Sequence, residues 1–552
     1  MRQNKHVSLS TAAVAAVLVL AGCSGGADDA TVGVEPDSAG QDIELYTSTP
    51  AGVTEVDHVD WGVMGPEPSS LDPIRIGSDQ DFITMSNMCE SLFRVDENFG
   101  FGPGLAEEGE WTDEHTYVLT LRDDVTFWNG DPMTSEDVVV SLERHVDPEN
   151  GSIYINAFEH VSSIEASGDY EVTVTFSTPD AEFPNSMASA PGIVVQADYI
   201  EESGGSLGTP DGGVMCTGPY QLDAWNTGST IEMSANEGYW DGAPLTKELE
   251  LHYIDDESTL SNALVGSQID GAFFVPIASA DQLDNAENGE LVLGPSTASM
   301  GIGPAVNEGP AADPRFREAI AAAIDQEQFI DTVLGGMGYP IRTFTVPFQW
   351  DALEAADIYR QGYEELPEPV QDLERAKELL ADIDYEGQTF SIAVPSGNDT
   401  YTRAATVVQA TGEELGIDFE INQMPGAQYA ELFYNPEARA EIDFIVTTGY
   451  STTPGVLEYP QQFVTEQGLF NWSDYRNEEA EELIFEARGT TDPQESAEQF
   501  IASQSLFGRD YLQISLGGEY SRTFVSNELT GVITSSANFV TPWALNLGGV
   551  AE

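Results

Sequence analysis

The chain has 552 residues, 41% of them hydrophobic, so it is too long for one simple domain and carries enough apolar material for a large core. Its 95 acidic residues against 19 lysines and arginines give a formal net charge of -76, a field that repels phosphate backbones and excludes nucleic acid as a partner. The acids are spread along the whole chain, which reads as a solvated coat suited to high ionic strength; selection of cationic ligands is the alternative.

The first 22 residues read as an export signal. Arg2, Lys5 and His6 form a short positive region, and residues 9–20 are apolar apart from Ser10 and Thr11. That run is too short to cross a bilayer, which takes roughly 20 apolar residues. Leu20-Ala21-Gly22-Cys23 follows and resembles the bacterial lipobox, in which a peptidase cuts before the cysteine and the thiol takes a diacylglyceryl group. Cys23 is therefore the expected lipidation site, holding the protein to the extracytoplasmic face of the cell membrane. Residues 24–41 are rich in Gly, Ser, Asp and Ala, and 23–54 is expected to be a flexible, lipid-anchored spacer. Cys89 and Cys216 remain; outside the cytosol they are a candidate disulfide, with two unpaired buried thiols as the alternative.

Further along, 56–64 reads as a strand ended by Gly65-Pro66, and Phe82, Met85, Met88 and Leu92 have helical spacing over 78–93. Strands are expected at 116–121 and 171–176, with a helix between them at 135–145 capped by Thr134 or Ser135. Residues 220–226 and 229–235 read as a hairpin around Thr227-Gly228, followed by a strand at 248–253, a helix at 257–265 and a buried strand at 269–274. The texture changes near 294–310. Beyond it come a helix at 314–324 with Asp313 as its cap and Pro314 in its first turn, and a second helix at 372–381. Strands at 389–394, 418–423 and 442–447 alternate with helices at 403–415, 477–488 and 494–508, and strands at 512–516 and 522–525 close the chain. This alternation predicts an α/β protein of two lobes joined near 300–310.

Several kinds of chemistry are ruled out. The only lysines are Lys5, Lys247 and Lys377, none of which follows glycine as a phosphate-binding loop requires, or stands three residues after serine as a Ser-x-x-Lys nucleophile does. None of the six histidines (His6, His58, His115, His145, His160, His252) forms H-E-x-x-H or is spaced from another as metal ligands on a helix face would be, so all are expected to be structural or on the surface. There is no G-x-S-x-G, and carboxylate pairs such as Asp255-Asp256 are too common in this chain to mark a site. No catalytic residue, metal or cofactor is expected.

A dozen short motifs occur in a recognisable order. They include Leu71-Asp72-Pro73, Cys89-Glu90-Ser91-Leu92, Gly104-Leu105-Ala106, the run from Tyr117 into Phe127-Trp128-Asn129-Gly130, and Cys216-Thr217-Gly218-Pro219-Tyr220. Asn236-x-x-Tyr239-Trp240, Asp313-Pro314-Arg315-Phe316-Arg317, Glu374-Arg375-Ala376-Lys377 and Asn471-Trp472-Ser473-Asp474-Tyr475 continue the series. From about Asp57 onward the chain resembles the solute-binding proteins of oligopeptide, dipeptide and nickel ABC importers (family 5). The resemblance implies an α/β, two-lobe periplasmic-binding-protein-like fold (type II, cluster C) with an extra inserted subdomain. Lobe I would take 55–305, with the insertion at about 95–214, lobe II 306–510, and 511–552 would return to lobe I. It also implies a monomer that closes over a small soluble ligand, a peptide or similar, and delivers it to permease and ATPase subunits.

In peptide-binding members an aspartate holds the peptide's α-ammonium. The matching stretch here is Gly449-Tyr450-Ser451-Thr452-Thr453-Pro454, with Thr453 at the aspartate position and Tyr450 as an aromatic platform. A hydroxyl does not neutralise a buried ammonium. Either the ligand lacks a free amine, or another carboxylate such as Glu458 or Asp443 takes the role. By position in the family, Ser78, Asp79 and Gln80 on one lobe and Asn398 on the other also face the cleft. The alternatives are the same fold binding an oligosaccharide or metal chelate, a ligand sensor, or an exported hydrolase.

Overall fold

A computed structural model describes residues 43–383, 385 and 387–551. The export signal and Cys23 lie outside them. Three sheets organise the chain. The first has seven strands, in the spatial order Gly289–Gly294, Ser521–Ser526, Gly271–Phe273, Val56–Met64, Thr246–Ile254, Thr230–Ala235 and Tyr220–Asn226. The second has six: Gly338–Tyr339, Ile514–Glu519, Ser299–Pro304, Phe444–Gly449, Thr389–Pro395 and Asp418–Met424. A four-stranded antiparallel sheet, in the order Ala106–Asp113, Thr116–Leu121, Glu171–Phe176 and Val161–Gly168, is inserted into the first lobe with its own core around Leu119, Phe127, Val174 and Phe183. Among the described residues no helix is long and apolar enough to cross a membrane.

Each large sheet follows from its patterning. In Val56–Met64, Val59, Trp61 and Val63 alternate into the core while His58 and Asp60 face out, the period-two signature of a strand buried on one face. Trp61 packs on Trp543 with ring centroids 4.9 Å apart, and Trp543 donates its indole N–H to the Ile83 carbonyl at 2.9 Å. The carboxylate of Glu90 is buried and accepts hydrogen bonds from Thr217, Trp240 and Arg94, so three of the sequence motifs meet in one polar knot. Cys89 and Cys216 are disulfide-bonded with Cα atoms 5.0 Å apart. They flank the inserted subdomain and close its neck.

Several boundaries differ from the sequence expectation. The lobes are joined by residues 295–298, between the strands Gly289–Gly294 and Ser299–Pro304, and by Tyr520 alone, between Ile514–Glu519 and Ser521–Ser526. The divisions expected at 305/306 and 510/511 are therefore displaced, because Ser299–Pro304 and Ile514–Glu519 are neighbours inside the second sheet. The expected spacer 23–54 is too long at its end. Leu45 is buried against Tyr339, Phe348 and Tyr520, and the amides of Tyr46 and Thr49 donate to Leu293 and Val532 at 2.9 Å each. The helix expected over 78–93 spans only Asp79–Met85, since the carbonyls of Asn87 and Met88 accept from the amides of Tyr220 and Gly218.

Candidate functional site

The strand Phe444–Gly449 leads out of the second sheet toward the first lobe. A Cβ on Gly449 would lie 1.9 Å from the Tyr459 hydroxyl oxygen, so only glycine allows the following loop to fold back on Tyr459. That loop wraps around Glu458. Glu458 Oε2 accepts from Ser451 Oγ at 2.7 Å, from the amides of Thr452 and Thr453 at 2.9 and 3.1 Å, and from Thr453 Oγ1 at 3.1 Å. Its Oε1 accepts from Thr452 Oγ1 at 2.9 Å. Glu458 is thus the strut of its own loop, with five donors already bound to it, and is not a free partner for a ligand ammonium. Asp443 does not take that role either. It precedes the strand at the end away from Tyr450, and accepts the Ser391 amide at 2.8 Å.

Of the eight expected cleft residues, Asp79 and Tyr450 meet across the lobes. The Tyr450 hydroxyl and the Asp79 carboxyl face one another and perturb each other's ionisation. Burial raises the Asp79 carboxyl above its ordinary range. The Tyr450 hydroxyl offsets part of this, and Asp81 and Glu519 add to it. Tyr450 stacks on Phe539 with centroids 4.8 Å apart, and Phe539 stacks on Phe274 at 5.3 Å, so a ladder of aromatic rings floors this side of the cleft. The other six spend their side chains locally or lack one. Ser78 caps the helix Asp79–Met85 in a capping box with Asp81, and Gln80 Nε2 donates to the Met64 carbonyl at 2.6 Å. Asn398 caps the helix Asp399–Leu415, accepting the Tyr401 amide at 2.9 Å, while Ser451 and Thr453 bind Glu458 and Gly449 provides the close approach.

The sequence reading missed a second group of cleft residues. Glu257 begins a first-lobe helix and faces Asp399 and Arg403 of the second lobe. Its carboxyl is raised by burial and by Asp399, while Arg403 and Arg522 pull it down. Arg403 Nε and Nη2 are buried and have no hydrogen-bond partner. Glu519 accepts from Thr448 Oγ1 at 3.0 Å and pairs with Arg522 at 3.3 Å, linking the two lobes beside Tyr520. No local motif marks these positions; only the fold brings them together.

Farther out, the inserted subdomain meets the second lobe directly. Arg488 donates to both carboxylate oxygens of Asp180, at 2.9 and 2.7 Å, and Ser189 Oγ donates to Thr452 Oγ1 at 3.1 Å. Glu182 lies in the same interface. Burial pushes its carboxyl up to about 8, with Asp180 and Glu458 adding to the shift and Asn185 and Arg488 opposing it. The lobes are therefore closed on one another.

Comparison with known proteins agrees with this architecture. The family model "Bacterial extracellular solute-binding proteins, family 5 Middle" matches residues 100–471. The glutathione-binding protein GsiB of Escherichia coli strain K12 is 26% identical over 474 residues, covering 84% of this chain and 89% of that protein. Among solved structures, AgaA of A. tumefaciens R10 in complex with agropinic acid superposes with a TM-score of 0.77 at 21% identity, covering 90% of this chain and 99% of the other. DppA of Helicobacter pylori in complex with the peptide STSA gives 0.77 at 20% identity, covering 90% and 98%. The two lobes, the inserted sheet and the closed cleft are features of this architecture, and the chain belongs to the bacterial extracellular solute-binding proteins of family 5, which serve ABC importers from outside the cytoplasm.

Proposed function

We propose that this protein captures a small zwitterionic solute of the peptide type and hands it to an importer permease, acting by binding and not by catalysis. Arg403 carries the reading: a guanidinium with two buried nitrogens that lack hydrogen-bond partners, beside Glu257 and Asp399, is suited to a ligand carboxylate. Asp79, facing Tyr450 across the cleft, supplies the charge that Thr453 lacks and is suited to the ligand's amine. Glutathione, the ligand named for the E. coli relative, is a zwitterion of this kind. The protein works as a monomer tethered through Cys23. The test is calorimetric titration of the mature protein with di- to tetrapeptides and glutathione, each also N-acetylated and C-amidated. Both modifications are expected to weaken binding strongly. Tight binding of the doubly blocked forms, or of oligosaccharides in their place, would reject the zwitterion reading. Membrane tethering is tested by Cys23→Ser, which should release the protein from the membrane fraction.

A further inference from the structure

The strands Val56–Met64 and Thr246–Ile254 pair in parallel with the register His58↔Glu248, Asp60↔Glu250 and Gly62↔His252. Val59, Trp61, Leu249 and Leu251 fill the core between them, so His58, Asp60, Glu248, Glu250 and His252 all stand on the outer face of the sheet. Two histidines far apart in the sequence thereby converge on one carboxylate. His252 Nε2 lies 2.7 Å and His58 Nε2 3.3 Å from the same oxygen, Asp60 Oδ1. Glu250 spans the pair, with Oε1 3.8 Å from His252 Nε2 and Oε2 3.9 Å from His58 Nε2. The ligand atoms of His58, Asp60 and Glu250 all lie within 4.8 Å of one another.

We infer that His58, Asp60, Glu250 and His252 form a site for a divalent transition-metal ion on the outer face of the first lobe. Two imidazole nitrogens with two carboxylates make a donor set that suits Zn2+, Ni2+ or Co2+ better than Mg2+ or Ca2+, which prefer oxygen alone. The outer partners fit the same purpose. His58 Nδ1 lies 3.3 Å from Glu248 Oε2, an outer carboxylate able to accept an Nδ1 proton when Nε2 ligates a metal. The Asp60 amide donates to Asp270 Oδ2 at 2.9 Å, which fixes the backbone under the shared ligand and adds a further acid nearby. Among the described residues no lysine or arginine pairs with Asp60, Glu248 or Glu250, so the local charge is left for a cation to balance. The cluster is also separate from the cleft, which begins beyond the other end of the strand, where Gln80 binds the Met64 carbonyl.

The experiment is calorimetric titration of the mature protein with Zn2+ and Ni2+ alone, beside His58→Gln, His252→Gln and Glu248→Gln. The expected result is one saturable site per chain, weakened about 10–100-fold in Glu248→Gln and at least as much in either histidine variant. Both histidines lie outside the core, and circular dichroism melts establish that the variants are folded. Cobalt absorption provides a second reading, a visible band that is lost or shifted in His252→Gln. Absence of a saturable site, or equal affinity in the histidine variants, would overturn the assignment and place any binding on the general acidic coat.

Discussion

Asp180 of the inserted subdomain and Arg488 of the second lobe form a buried two-pronged ion pair across the cleft, with side chains 1% and 7% exposed. Neither residue belongs to the ligand wall. The pair exists only when the lobes are together, so it sets how easily the cleft closes.

Removing one partner should therefore act on closure. Asp180→Asn leaves Arg488 buried without its charge partner, which costs about 3–5 kcal/mol in the closed state. The open form can hydrate Arg488, so the unliganded protein should melt at nearly its usual temperature while ligand affinity falls. Asp180→Leu with Arg488→Met should recover most of the affinity. Unchanged affinity in Asp180→Asn would show that this contact does not govern closure.

Glu182 makes closure sensitive to pH. Its carboxyl is raised from an ordinary 4.5 to about 8 in the closed protein, so closing takes up a proton between those values. The stabilisation is present in full below the ordinary carboxylate range and is lost as pH rises toward 8. Ligand affinity should weaken by up to about tenfold per pH unit across that window. Glu182→Gln, a permanent mimic of the neutral form, should flatten the profile; a wild-type slope retained in this variant would point to another group.

Asp79 and Arg403 should divide the ligand between them. Asp79→Asn is expected to lower affinity for free-amine peptides about a hundredfold or more, as removal of a charge from a desolvated pair does, with little effect on N-acetylated ones. Arg403→Gln should show the converse preference with C-amidated peptides. If both variants weaken all ligands equally, the two residues support the cleft without contacting its occupant.

The Cys89–Cys216 bond spans a sequence separation of 127 residues and closes the neck of the inserted subdomain. Replacing both cysteines with serine should cost about 2–5 kcal/mol, read as a lower melting temperature that reductant no longer changes. A melting temperature equal to wild type would show that core packing alone holds the neck.

What could be foreseen from sequence depended on how local the signal was. Asp313 with Pro314 announces a helix start, and in the structure the Asp313 side chain accepts the Arg315 amide at 2.9 Å. Glu171–Phe176 alternates cleanly and is a strand. By contrast, Ala106–Asp113 is mostly exposed and shows no apolar alternation, and Ser299–Pro304 is interrupted by glycines, at one of which a neighbour presses close. A Cβ on Gly301 would meet Gln513 at 2.8 Å. Of the site, Tyr450 and Asp79 were reached through the family resemblance. Their approach to each other, the strut role of Glu458 and the Arg403 nitrogens without hydrogen-bond partners depend on lobe packing, which no stretch of sequence encodes alone. The outer-face histidines escaped for the same reason: helix spacing was the wrong template for ligands set by the register of two distant strands.

The two strands that flank Tyr520 bear on how the molecule is made. Ile514–Glu519 sits between Gly338–Tyr339 and Ser299–Pro304, and Ser521–Ser526 sits between Gly289–Gly294 and Gly271–Phe273, so the tail of the chain supplies an interior strand to each large sheet. During export from the amino terminus, neither lobe can complete its sheet until that tail has emerged. A chain cut short before residue 514 would have a gap in both sheets at once, leaving exposed edges prone to pairing with other chains. Release of the complete polypeptide then becomes the event that commits both lobes to their final form together.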